Sequence, residues 1–350
     1  MAKSLSEFQS KHSPSQEVEH LRAKVRDLER KLTQERDSTG EARVALLALT
    51  EAIKAEKPTK MQYKPPGPST EVRTVPVTHV LHLTDLHNGE ITQADEVDGF
   101  GEFNPEIYNR RLQELGSKII NHTNIKRGGG GYSIPTLHIL GTGDYISGDI
   151  HEELKVTNAY PAPVQAVRAG HGIAQMIHML SPHFDNVVVD MLTLDNHGRL
   201  TKKNQAAQGG ENNWGFVVAH IVKQIMSEQS NVTVRIHAKP SALISIGSER
   251  YLCMHGHQIK GWAGLPYYGF DRRVAMEAVK RMGVVDNSFT KMVLGHFHTA
   301  CNTPNWNIGG SLSGTNAFDH SCGRHSLPHQ TSWFVHPEHG EFDFSRWWLT

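Results

Sequence analysis

Short hydrophobic runs that stop abruptly at polar clusters recur along this chain. Val80-Leu81-His82-Leu83-Thr84 ends at Asp85-Leu86-His87, and the run Thr136 to Leu140 passes through Gly141-Thr142-Gly143 into Asp144. Val187 to Leu192 precedes Asp195-Asn196-His197, Tyr251 to Met254 precedes His255-Gly256-His257, and Met292 to Leu294 precedes Gly295-His296-Phe297-His298. Apolar runs of this length closed by Gly, Asp or Asn predict buried strands followed by loops. Apolar residues at helical spacing over Glu106–Asn124, Pro163–Leu180 and Trp214–Met226 predict helices between them. Strands are also expected around Trp333–Val335 and Phe342–Trp348, with Trp333, Phe334, Phe342, Phe344, Trp347 and Trp348 read as core. The alternation predicts an α/β fold. Ligands in such folds gather at the carboxyl ends of strands. Clusters roughly 40–60 residues apart leave room for a strand–helix–strand excursion between them, so all five are expected at one sheet edge.

The pattern before Val75 is different. Residues 1–14 are polar and predicted to be disordered. Over residues 15–56, Val18, Leu21, Val25, Leu28 and Leu32 alternate three and four apart, the seam of a heptad repeat. The register continues through the polar Glu35 and Thr39 to Ala42, Leu46, Leu49 and Ile53. A coiled-coil helix that joins copies of the chain into a homo-oligomer is expected. Residues 57–74, with Pro58, Pro65, Pro66 and Pro68, read as a semi-rigid linker, and residues 75–350 as the main domain.

Composition adds limits. Lys plus Arg and Asp plus Glu are equal at 36 each, so any attraction for nucleic acid must come from a local basic patch. Three cysteines, none in a Cys-x-x-Cys pair, exclude a thiolate metal site and point to a reducing, cytoplasmic setting. Cys253, inside a predicted strand, reads as a small buried hydrophobe. No apolar run approaches the length of a membrane span.

The five clusters offer carboxylate, amide and imidazole groups. A mixed oxygen and nitrogen set suits Mn²⁺, Fe or Zn²⁺ better than Ca²⁺. Two such ions need a carboxylate able to bridge them, and Asp144, alone in the middle of the series, is the natural candidate.

As a set, D-x-H, G-D, N-H, H-G-H and G-H-x-H resemble the motif series of the calcineurin-like metallophosphoesterase superfamily. The resemblance runs from about Val75 to the C-terminus. It implies a four-layer β sandwich flanked by helices, with a dinuclear metal centre in which Mn²⁺ is expected and Fe, Zn²⁺ or Mg²⁺ are other possible occupants. By position, Asp85, His87 and His298 would hold one ion. Asn196, His255 and His296 would hold the other, with Asp144 as the bridge. His197 would bind no metal but act on the phosphate.

Two departures narrow the resemblance. The usual Gly before Asn-His is Asp195 here. The second Asp by which protein Ser/Thr phosphatases orient the catalytic His is missing, because Gly143-Asp144 continues as Tyr145-Ile146-Ser147-Gly148. Asp149 could replace it only in part, its offset being two residues too long. The repair-exonuclease side of the superfamily therefore fits better.

Arg199 is either a bidentate phosphate donor or a surface residue. Lys202, Lys203 and Lys260, with Arg272-Arg273, would form a basic rim if they face the site. Trp262 is either a stacking surface for a base or a loop anchor. Ser147 to Glu153 reads as a helix opening with acidic residues in its first turn, although His151 and Glu152 could also reach substrate. Gly128 to Gly131 reads as a flexible loop. A phosphodiesterase acting on DNA is the leading expectation. A small-molecule or cyclic-nucleotide phosphoesterase is the alternative. An assembly protein with a vestigial site is disfavoured by the complete ligand set.

Overall fold

The computed structural model describes residues 14–55, 75–129, 131–201, 203, 209–260, 265–284 and 287–350. Residues 1–13, the proposed linker, Lys202 and Trp262 lie outside the described residues. The chain divides into two compact units, Met1–Thr70 and Glu71–Thr350.

Among the described residues the first unit contributes the helix α1 (Pro14–Ala55), which runs unbroken through Ser38-Thr39-Gly40. Val18, Leu21, Val25, Leu28 and Leu32 are each 46–57% exposed. Arg30 and Lys31 both pair with Asp27 on its flank. The side chains of Ala42, Leu46, Leu49 and Ile53 lie outside the described set.

The second unit is mixed α/β. In chain order it contains β1 (Val75–Leu83), α2 (Pro105–Gly129), β2 (Tyr132–Gly141), α3 (Leu154–Thr157), α4 (Ala162–Leu180), β3 (Asn186–Leu192), α5 (Trp214–Ile225) and β4 (Val232–His237). Then follow β5 (Ala242–Ile246), β6 (Glu249–Met254), α6 (Tyr267–Arg281), β7 (Lys291–Leu294), β8 (Cys301–Asn302), β9 (Trp306–Ile308), α7 (Ala317–Ser321), β10 (His329–His336) and β11 (Gly340–Trp348). One sheet has the order β11-β10-β1-β2-β3-β4, the other β5-β6-β7-β9-β8. β1 to β4 run parallel to one another, as do β6, β7 and β9, whereas β10, β11, β5 and β8 pair antiparallel.

Strand alternation divides the core. Val187, Val189 and Met191 of β3 join Leu81 and Leu83 of β1 beneath the helices. Leu112, Leu115 and Ile119 of α2 and Ala166, Ile173 and Ile177 of α4, at three-, four- and seven-residue spacing, complete that cluster. The opposite faces supply Val80, Leu140, Leu192, Trp333 and Val335, which meet Ile244, Tyr251 and Val293 of the other sheet in one dry cluster. Each fully buried side chain of this kind contributes roughly 1.5–3 kcal/mol. The tail aromatics are core as expected except Trp348, which is 46% exposed. Cys253 is fully buried.

Two local expectations fail. The glycine run is not simply a loop, because α2 continues to Gly129, its last turn anchored by Arg127, which donates to the carbonyl of His183 at 2.9 Å. The Ser147–Glu153 stretch opens no helix. Gly148 sits at φ +68°, a conformation incompatible with helix, and α3 starts only at Leu154. Among the described residues, no helix is long and apolar enough to cross a membrane.

Candidate metal centre

Register fixes the site. Leu83 pairs with Gly141 and Gly141 with Met191, so β1, β2 and β3 end level with one another. Met254 pairs with Leu294 at the ends of β6 and β7 in the other sheet, so the motifs come from the edges of two sheets and not from the single edge expected. Each motif begins within three residues of one of these ends.

The turns that follow are strained at the same positions. Asp85, His87, Asp144, His296 and His298 all have positive φ, between 46° and 72°. Non-glycine residues in this region cost on the order of 1–3 kcal/mol each and cluster at functional sites. Among the described residues only Asp98 and Asp343 share it without belonging to the motifs. The strain turns carboxylates and imidazoles inward instead of along the strand.

Three groups of side chains have ligand atoms within 4.8 Å of one another: Asp85, His87 and His298; His87, Asp144 and His197; and Asp144, His255 and His296. Asp144, like His87, belongs to two of them. Its Oδ1 accepts the backbone N–H of His197 at 3.0 Å, while its Oδ2 is buried without a hydrogen-bond partner. His255 Nε2, which has no hydrogen-bond partner either, lies 2.9 Å from that Oδ2 at ion-pair distance. Asn196 Oδ1 is a third buried orphan. Buried polar atoms are normally satisfied, and all three orphans belong to the residues assigned to the bridge and the second ion. On the other side, His87 Nε2 and His298 Nε2 approach to 3.1 Å, with Asp85 Oδ1 at 3.9 and 3.5 Å. The donor set therefore fits divalent metal.

Behind the ligands the imidazoles are held in one tautomer. His255 Nδ1 donates to the carbonyl of Thr142 at 2.9 Å and His197 Nδ1 to that of Ser147 at 2.6 Å. His298 Nδ1 donates to Asp319 Oδ2 at 2.7 Å. A carbonyl or carboxylate can only accept, so Nδ1 carries the proton and Nε2 faces the centre. Burial, aided by neighbouring imidazoles, lowers His87 and His296 to about 3. They are neutral at pH 7, the form that binds metal. Burial alone would raise Asp85, but the hydrogen bond and charge of His298 outweigh it and bring the carboxyl to about 2.

Backbone, not a carboxylate, stands behind His197. Asp149 is exposed, and the carbonyl of Ser147 occupies the position behind His197. The ring of His197 packs edge-on to His87 at 4.5 Å between centroids. Arg199 donates to the carbonyls of Asn196 and Thr201 at 2.6 and 3.1 Å, which pins its own loop. Lys203 and Lys260 are exposed, as is Arg272, while Arg273 pairs with Glu277 at 2.8 Å. His151 and Glu152 are also exposed, Glu152 pairing with Lys155. The Asp and His ligand residues and His197 come together, and Arg199 is close enough to Asp144 and Asp195 to feel their charge.

Three residues of the centre escaped the motif reading. Asp195, read only as a departure, braces two ligand loops. Asp319 follows the helix cap Asn316, whose side chain accepts its N–H at 2.8 Å. Asn-x-x-Asp does announce a helix start in the sequence, but nothing there links it to His298. Glu90, buried beside His87, had no signal at all.

No protein-family model matches the chain, and no curated protein matches it in sequence. Among solved structures it is similar to a hypothetical protein from Pyrococcus horikoshii OT3, with 11% identity and a TM-score of 0.37 over 78% of this chain and 88% of that one. It is also similar to Vps29 from Chaetomium thermophilum, with 10% identity and a TM-score of 0.29 over 78% of this chain and all of that one.

Proposed function

We propose that this chain is a metal-dependent phosphoesterase that hydrolyses phosphodiester bonds at a dinuclear centre, in a four-layer arrangement of two facing sheets between helices. The observation that carries this reading is Asp144, a buried carboxylate shared by two ligand groups with one oxygen left unpartnered. Asp85, His87 and His298 would hold one ion and Asn196, His255 and His296 the other, Mn²⁺ being the expected occupant and Fe, Zn²⁺ or Mg²⁺ alternatives. Such a pair polarises a phosphoryl oxygen and supplies a nucleophilic water at neutral pH. His197, with Nδ1 fixed by Ser147, presents Nε2 to the same space. Protonated there, it can stabilise the developing charge or give the proton to the leaving oxygen.

For the substrate we propose nucleic acid, DNA in particular. The support is the exposure of Lys203 and Lys260 beside ligand loops, with Lys202 adjacent in sequence. A small diester or cyclic nucleotide is the second reading, favoured by Arg199 being spent on its own loop. A panel with Mn²⁺ separates them: bis(p-nitrophenyl) phosphate, p-nitrophenyl phosphate, cyclic nucleotides, and single- and double-stranded DNA. A polymer site should lose affinity with salt at about 0.9 log units per log salt for each phosphate held on duplex. Lys202→Ala/Lys203→Ala should reduce that slope by about one to two. Brisk cleavage of small diesters with indifference to DNA at low salt would rule out the nuclease reading.

We further propose that α1 joins copies of the chain as a coiled coil, because its apolar seam has half its surface in water. A cytoplasmic setting is supported by three unpaired cysteines, Cys253, Cys301 and Cys322. Light scattering should give an oligomer for the wild type and a monomer for Leu21→Asp/Leu28→Asp. A monomeric wild type refutes the assembly.

A further inference from the structure

His87 differs from the other imidazoles whose far nitrogen has a partner. His255, His197 and His298 have Nδ1 hydrogen-bonded to an acceptor behind the ring. His87 Nδ1 is fully buried with no partner. The atom facing it, 3.9 Å away, is Glu90 Oε2, which is also buried with no partner. Two complementary buried atoms without hydrogen-bond partners therefore lie 3.9 Å apart.

The surroundings hold Glu90 there. The backbone N–H of Glu90 donates to the carbonyl of His87 at 3.1 Å, closing a tight turn between them. Gly89 sits at φ +93° inside that turn, where an added Cβ would come within 2.6 Å of the Gln165 side chain. Asn316, the cap of the helix that carries Asp319, lies close enough to the Glu90 carboxyl to favour its charged form. Glu90 is 7% exposed, and leaving such a group unsatisfied costs on the order of 1–3 kcal/mol or more.

We infer that Glu90 is the positioning residue for His87, accepting its Nδ1–H when Nε2 is engaged by an ion. A closure of about 1 Å brings the pair to ordinary hydrogen-bond distance. Both imidazoles of the Asp85 group would then be backed by carboxylates, Glu90 behind His87 and Asp319 behind His298. His255, in the other group, is backed by a neutral carbonyl. Partners of this kind fix ring orientation and raise ligand basicity, and losing one typically costs 10- to 100-fold in metal affinity. The loss should fall on one ion of the two.

This inference rests on the dinuclear reading, and titration of metal-free full-length protein with Mn²⁺, followed by calorimetry and elemental analysis, tests the two separately. Wild type should take two ions per chain. Glu90→Ala should weaken one binding step by about 10- to 100-fold and leave the other unchanged. Glu90→Gln, whose amide oxygen still accepts from Nδ1–H, should stay within about threefold of wild type on the same scale. If the alanine variant does not fold, Glu90→Asp withdraws the carboxylate by one methylene and should weaken the same step. A wild type that binds fewer than two ions overturns the dinuclear reading itself. Two ions in wild type with unchanged affinities in folded Glu90→Ala or Glu90→Asp overturn the role of Glu90 alone, as does a glutamine variant as impaired as alanine.

Discussion

Asp195 Oδ2 accepts the backbone N–H of Asp144 at 2.8 Å, joining the loop after β2 to the loop after β3. Its Oδ1 takes the N–H of Gly198 at 2.7 Å and the side-chain amide of Asn213 at 3.2 Å. Asn213 in turn caps α5 by accepting from Gly215 at 2.8 Å. The Asp195 carboxylate is thus a brace between the proposed bridge and the Asn196-His197 turn.

Asp195→Ala should therefore loosen two loops at once. Hydrogen bonds to a charged group are worth roughly 1.5–3 kcal/mol each, so a fall in Tm of several degrees is expected, together with weaker Mn²⁺ binding. Thermal melts with and without Mn²⁺ measure both. Unchanged melting and unchanged binding would show that Asp195 braces nothing.

Asp144→Asn and His255→Ala should abolish hydrolysis and reduce bound metal below two ions per chain, since each removes a ligand from the shared side. Dialysis against chelator should silence the wild type, and Mn²⁺ should restore it. Metal-free protein with full activity in chelator would end the phosphoesterase reading.

His197→Ala should keep both ions and lose about 10²–10⁴ in kcat. Gly148→Ala should approach the same phenotype by a different route. A Cβ there would lie 1.9 Å from the His197 carbonyl, at a φ of +68° that disfavours any side chain. Metal content and kcat measured on both variants decide the matter: loss of an ion from His197→Ala makes His197 a ligand.

Asp190 lies away from the centre, fully buried on β3, where it accepts from His138 Nε2 at 2.5 Å and His237 Nε2 at 2.6 Å. Burial opposes its charge, but the two imidazole hydrogen bonds outweigh burial and hold the carboxyl well below its usual range. A depressed folded-state pKa gives stability that is present above the unfolded value of about 4 and lost as pH falls through the folded one. Asp190→Asn should melt lower than wild type at pH 7, with the gap shrinking below about pH 4. Melting curves from pH 7 to 3 that stay parallel would remove this contribution.

Much of this protein was decided locally. Strand ends, three long helices and all five motifs follow from where apolar runs stop, because a buried strand must be apolar and its exit must turn. The identity of Asp85, His87, Asp144, Asn196, His255, His296 and His298 as ligand types needs only their chemistry and order. Only tertiary structure could decide what stands behind those ligands. Ser147 offers a carbonyl, which any residue possesses, so no letter in the sequence marks it as the partner of His197. Asp319 reaches His298 across 21 residues and Glu90 faces His87 through a turn set by Gly89, relationships fixed by how loops close in space. The basic side chains show the converse. Sequence proximity put Arg199 beside the site, but its guanidinium was claimed by the nearest carbonyls of its own loop. Periodicity and ligand chemistry are local properties of a chain; hydrogen-bond partnership is settled by packing, where the nearest unsatisfied group wins.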